Sequence, residues 1–124
     1  AFHLYNENHR VDAIVEALNH NDFAGFKKGI MESGRSSYQY LQNVYSPRHV
    51  EAQGVAVALA LSEKALMGHG FGRVHGGGFA GTIQVFVEND YVPTFKTEIE
   101  KYFGEGACHV LQIRQPGGCE VLKW

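Results

Sequence analysis

The stretch GHGFGRVHGGGFAGTIQVFV, residues 68–87, carries the reading of this chain. Its second part alternates, with Ile83, Val85 and Val87 on one face and Thr82, Gln84 and Phe86 on the other, which is the period-two signature of a strand over Thr82–Val87. A short strand over residues 72–75 precedes it, so the unit reads strand, glycine loop, strand. Seven of the chain's 15 glycines fall in the 14 residues 68–81. Consecutive glycines leave backbone N–H groups unshielded and admit positive φ, so such a loop can wrap an anion or approach a ligand closely. It can equally be a turn that does no more than pack tightly.

Upstream of this unit the period is helical. Val11, Ile14, Val15 and Leu18 recur at i, i+3, i+4 and i+7 and predict an amphipathic helix over residues 7–18 with those side chains inward. Asn19, His20 and Asn21 interrupt it, and Asp22 is placed to cap a second helix carrying Phe23, Phe26, Ile30 and Met31 and running to about Tyr40. Together they make a helical hairpin over residues 4–40. Gly25, Gly29 and Gly34 each cost the second helix about 1 kcal/mol relative to Ala, and they suit it to close approach by a neighbour. Pro47 and Gly68 bracket a third helix within residues 48–67, apolar on several faces and so expected to be well buried.

Downstream, residues 91–102 read as a helix with Val92, Phe95, Ile99 and Phe103 inward. Residues 108–113 and 119–124 read as two closing strands. The expected architecture is therefore α+β, an antiparallel sheet with helices packed on one face. The chain is one domain: a helical hairpin 4–40, a helix 48–67, a glycine loop 68–81, then strands and helix 82–124.

Composition bounds the function. With 124 residues, 44% of them apolar, the chain can bury a single core. Eleven basic against 13 acidic residues give a net charge of −2. The scattered basic residues argue against nucleic-acid binding, which needs clustered positive charge. The longest apolar run, residues 55–61, has seven residues, against roughly 20 needed to cross a bilayer, so no membrane partner is expected. Cys108 and Cys119 fall out of register for a disulfide if a turn at residues 115–118 joins the two last strands. Reduced thiols and no signal segment make the cytoplasm the expected compartment. A first residue that is Ala rather than Met fits a processed chain or an excised piece.

Several chemistries fail at the glycine loop. Gly76, Gly78 and Gly81 match GxGxxG, but a dinucleotide fingerprint needs a helix next, and a strand follows. No Gly-Lys-Ser/Thr occurs, which removes a P-loop, and no HRD or DFG follows, which removes a protein kinase. His69 and His75 lack a third convergent ligand, so no metal site is expected. Arg73 beside the loop could meet a phosphate or be an ion-paired strand residue. Cys108 reads as a small buried hydrophobe, and Tyr38, Tyr40 and Tyr45 as helix-packing aromatics. His3, Glu7 and Arg10 share a helical face suited to a capping or domain-interface role.

With those options removed, Arg73-Val-His-Gly-Gly-Gly-Phe-Ala-Gly-Thr82 resembles the third glycine motif of the GHMP small-molecule kinases, in their galactokinase branch. Phe2-His-Leu-Tyr-Asn-Glu-Asn-His-Arg-Val11, Ala17-Leu-Asn-His-Asn-Asp-Phe23 and Met31-Glu-Ser33 resemble the helical segments that precede it there, in the same order. Three departures stand out: Ala80 replaces a loop glycine, Gly34 stands where many relatives carry His, and Pro47-Arg-His-Val50 replaces Pro-Glu-Leu-Asp.

The resemblance implies a ferredoxin-like C-terminal domain of a two-domain kinase that transfers the γ-phosphoryl of ATP to the anomeric hydroxyl of galactose. It implies that Gly76, Gly77, Gly78, Phe79, Ala80 and Gly81 line the phosphate side of the cleft, with Arg73 and His75 as accessory residues. The sugar-binding motif, the Mg²⁺-coordinating Ser and the catalytic Asp would lie in an N-terminal kinase domain upstream, so no catalytic residue is assigned here. ATP and Mg²⁺ belong to the full-length enzyme, and neither is expected on this chain alone. A homodimer through an exposed domain interface is a further expectation. The alternatives are a non-catalytic module that binds a small effector and a dimerisation module.

Overall fold

The computed structural model describes residues 1–44, 46, 48–49, 53–75 and 81–113. In chain order they form α1 (Phe2–Asn19), α2 (Phe23–Ser36), α3 (Gly54–Leu66), β1 (Gly70–His75), β2 (Thr82–Val87) and α4 (Val92–Phe103). A π-helical turn, Ser37–Leu41, follows α2, and a 3-10 turn, Asn89–Tyr91, leads into α4. The architecture is α+β, with the two described strands antiparallel.

The α1–α2 hairpin forms for the local reasons the sequence offers. Asp22 Oδ1 accepts the Gly25 amide at 2.9 Å, satisfying one of the orphan donors at the start of α2. The missing side chain of Gly29 lets Ile14 lie directly against the helix, where a Cβ would stand 2.9 Å from Ile14 Cδ1. At Gly25 a Cβ would stand 3.1 Å from Ala17 Cβ. The glycines that weaken α2 as an isolated helix thus set the depth at which α1 packs on it.

Which face of α1 turns inward differs from the expectation. Ile14 reaches the core and Ala17 is buried, but Val11, Val15 and Leu18 are 49%, 50% and 54% exposed. The inward face instead carries His3, Glu7 and Arg10, because α2 offers it a stripe of small and hydroxylated residues, Gly25, Gly29, Ser33 and Ser36. Ser33 and Ser36 are buried and need hydrogen-bonding partners. A face of Val and Leu could not supply them, and a face with His3 and Glu7 does.

The ribbon pairs Gly70 with Val87, Phe71 with Phe86, Gly72 with Val85, Arg73 with Gln84, Val74 with Ile83 and His75 with Thr82. Alternation sends Phe71 and Phe86 to one face, where they stack at 5.2 Å and Phe26 meets Phe86 edge-on at 5.2 Å. Phe26, Ile30 and Phe71 make the core on that side. On the other face Leu66, Phe95 and Ile99 close a second core with Val85 and Val87. Gly70 makes that contact possible, since a Cβ there would stand 2.7 Å from Leu66 Cδ2 and collide with the Phe86 carbonyl. Helices therefore cover both faces of the described ribbon, where the sequence reading has them on one, because both faces of the strand pair are apolar.

The starts of α3 and β1 also differ. α3 begins at Gly54 rather than near residue 48, and before it Ser46 and His49 form an isolated bridge. Of α3, Val55, Ser62 and Leu66 are buried, so the helix is only partly enclosed. It ends as expected, with Met67 at φ +47° and Gly68 at φ +87°. β1 starts at Gly70, two residues before the predicted strand.

The predicted strand over residues 108–113 is absent, and those residues are irregular. Leu111 and Ile113 are 86% and 87% exposed. Alternation supplies a face, but a strand also needs a partner for its backbone groups, and among the described residues none pairs with it. The final predicted strand, 119–124, lies outside the described residues, as do Cys119, Tyr45 and Pro47. Tyr38 and Tyr40, expected to pack between helices, are more than half exposed. Cys108 packs against the α3–α4 core, where burial, followed by the nearby Glu100 charge, pushes its thiol pKa up.

Candidate functional site

The ribbon ends at the pair His75 and Thr82, which brackets the glycine loop. Gly76, Gly77, Gly78, Phe79 and Ala80 lie outside the described residues, and Gly81 is exposed at the start of β2. What the structure describes is the stem of that loop and what holds it.

Arg73 is the centre of the stem. Its Nη1 donates to Ser33 Oγ at 2.8 Å, and its Nε donates to Gln84 Oε1 at 3.3 Å across the ribbon. Ser33 Oγ in turn donates to Glu7 Oε1 at 2.6 Å. The other Glu7 oxygen accepts from Arg10 Nη1 in a close ion pair. One turn away on the hairpin, His3 Nδ1 and Ser36 Oγ share a hydrogen bond at 3.0 Å. The backbone contact that permits this is at Gly34, where a Cβ would stand 3.0 Å from Arg73 Cβ. One of the three departures, Gly34, thus lies where β1 packs tightly on α2.

The chemistry of this cluster is charge placement. Glu7 and Arg10 pair with each other, and the Arg73 guanidinium is the charge that the ribbon itself contributes. Arg73 is tied to two neutral partners, Ser33 and Gln84.

The other histidine candidate behaves differently. His69 sits just before β1, with Nδ1 2.9 Å from Glu88 Oε2 and its ring stacked on Tyr91 at 4.4 Å. His75 is exposed at the opposite end of the strand, six residues and about 20 Å away at 3.3 Å per residue. The two histidines are therefore not brought together. Among the described residues no group of three His, Cys, Asp or Glu side chains could hold a metal ion, and no helix is long and apolar enough to cross a membrane.

Sequence reasoning named Arg73 and the shared face of His3, Glu7 and Arg10, but not their connection. Ser33 and Gln84 were missed as its links. The sequence reading takes Gly25, Gly29 and Gly34 as permission for close packing, and the signal it leaves unused is that Ser33 lies one turn beyond Gly29 on the same face of α2.

The fold and stem define an α+β unit whose ribbon presents a glycine loop beside a held arginine. Comparison with known proteins points in one direction. The chain is similar to a protein named Galactokinase from Fusobacterium nucleatum subsp. nucleatum, 34% identical over 105 residues, covering 85% of this chain and 25% of that protein. The chain thus spans about a quarter of the length of the curated relative it matches. No family model matches the chain, and no solved structure matches it.

Proposed function

We propose that this chain is the C-terminal part of an ATP-dependent sugar kinase of the galactokinase type. The observation that carries the reading is the 34% identity over 105 residues to the Fusobacterium galactokinase, in agreement with the order of the four segments quoted above. In this reading the intact protein transfers the γ-phosphoryl of ATP to the anomeric hydroxyl of galactose. The bond from the γ-phosphorus to the bridging oxygen breaks, ADP leaves, and the hydroxyl proton passes to a base on another part of the protein. Phosphoryl transfer rests chiefly on positioning and charge stabilisation.

Within that reaction this chain's residues bind and orient. The amides of Gly76, Gly77, Gly78, Phe79, Ala80 and Gly81 shape the phosphate side of the cleft. Arg73 supplies positive charge at the loop's root, and His75 flanks it. The ligands of Mg²⁺ are assigned to the rest of the protein. A coupled assay with the intact protein, ATP and galactose tests the reading. Turnover is expected from the intact protein and none from the isolated 124 residues. Turnover by the isolated chain, or none by the intact protein, overturns it.

A second reading is favoured by one observation, the exposed apolar stripe Leu4, Val11, Val15 and Leu18 on α1. A non-catalytic module that dimerises or binds a small effector would also display such a surface.

A further inference from the structure

We propose that Glu7, Ser33 and Arg73 are positioning residues for the nucleotide side of the site: together they hold the open end of the β-ribbon in place against the α1–α2 hairpin. The proposal rests on the phosphotransfer reading above for the ligand, and on the hydrogen-bond chain itself for the mechanism.

The chain has only one consistent polarity. A carboxylate only accepts and a guanidinium only donates, so the single Ser33 proton must point to Glu7 Oε1, leaving its oxygen to receive Arg73 Nη1. Three elements far apart in sequence are thereby joined through one hydroxyl, 26 residues from Glu7 and 40 from Arg73. Ser33 is 4% exposed, and water cannot readily replace a partner that is lost there. Losing Glu7 or Arg73 leaves the buried Ser33 hydroxyl short of one partner, the costly case for a polar group.

The anchored point lies where it controls the site. Arg73 is two residues from His75, at which the ladder ends against Thr82. Arg73 also bonds across the ribbon to Gln84, so both strands are held at the same level. A shift at Arg73 displaces both ends of the loop, and misplacement by about 1 Å can cost on the order of 100-fold in rate. Glu7 is paired in addition with Arg10, which holds the carboxylate in place as the anchor.

The test uses the intact protein with Ser33→Ala, Ser33→Thr and Glu7→Gln. Ser33→Ala is expected to raise KM for ATP on the order of tenfold while leaving KM for galactose unchanged, and Ser33→Thr, which keeps the hydroxyl, to restore most of the loss. Glu7→Gln keeps shape and an acceptor and is expected to fall between them. In parallel, amide hydrogen exchange in Ser33→Ala should quicken over Gly70–His75 and Thr82–Val87 and stay at the wild-type rate over Val92–Phe103. Unchanged exchange in the ribbon, or equal quickening throughout the domain, overturns the positioning role. So does a loss that falls equally on both substrates. If the wild-type protein shows no phosphotransfer, the kinase reading fails by itself, and the exchange pattern alone then decides whether the relay holds the ribbon.

Discussion

Gly29 and Ile14 are in direct contact across the helical hairpin, with the Ile14 side chain occupying the space a Gly29 side chain would fill. A Cβ at Gly29 would stand 2.9 Å from Ile14 Cδ1 and nearer still to Cγ1. Gly29→Ala therefore sets two effects against each other. Helix propensity gains about 1 kcal/mol, while overpacking a fitted contact costs about 1–3 kcal/mol. A net loss of about 1 kcal/mol is expected, read as a lower urea midpoint. Gly54→Ala is the control, since nothing lies within 4 Å of its Cβ position. It should stabilise by about 0.5 kcal/mol, and a loss there would show that the start of α3 is packed differently.

The cap at Asp22 gives a second prediction. Its Oδ1 accepts the Gly25 amide at 2.9 Å, so Asp22→Ala should cost about 1 kcal/mol and Asp22→Asn much less. Chemical denaturation of the two variants side by side checks this, and equal midpoints would remove the cap as the cause.

Cys108 gives the pH dependence. Burial first, and the Glu100 charge second, raise its thiol pKa, so the folded state keeps the proton at pH values where the unfolded chain has released it. Its contribution to stability is therefore complete on the acid side of the ordinary thiol range and is lost as pH rises through the raised value. Relative to Cys108→Ala, the wild type should lose stability on the alkaline side, and iodoacetamide should label the native thiol more slowly than an unfolded one. Labelling at the same rate in both states would contradict it.

The stripe Leu4, Val11, Val15 and Leu18 predicts association. Four half-exposed apolar side chains on one helix make a surface that another domain or copy would cover. The isolated 124 residues should self-associate in sedimentation velocity runs, and Val15→Glu with Leu18→Glu should yield monomers without shifting the helical CD signal. A wild-type chain that stays monomeric as concentration rises would count against this surface as an interface.

Much of the fold could be read residue by residue. The alternation marks both ends of β2 at Thr82–Val87, Asp22 caps α2, and of the four side chains expected inward on α4 Phe95 and Ile99 are buried while Phe103, at the helix end, is 42% exposed. Arg73 was singled out beside the loop, and the structure ties it to Ser33 and Gln84. The misses share a pattern. Val11, Val15 and Leu18 satisfied helical periodicity yet remain half exposed, and residues 108–113 alternated like a strand yet form none among the described residues.

Properties carried by near neighbours were legible without coordinates: a carboxylate three residues before an orphan amide, a two-residue alternation, a glycine just past a helix end. Those depend on interactions within a turn or two, which composition and spacing specify. The inward face of α1 and the double covering of the ribbon depended on surfaces distant along the chain, as did the Glu7–Ser33–Arg73 connection, whose links span 26 and 40 residues. Burial is a contest between alternative faces for one partner surface. Here the buried hydroxyls of α2 favoured a polar face over an apolar one, because an unpaired buried hydroxyl costs about 1–3 kcal/mol, comparable to what burying one more Val or Leu side chain returns.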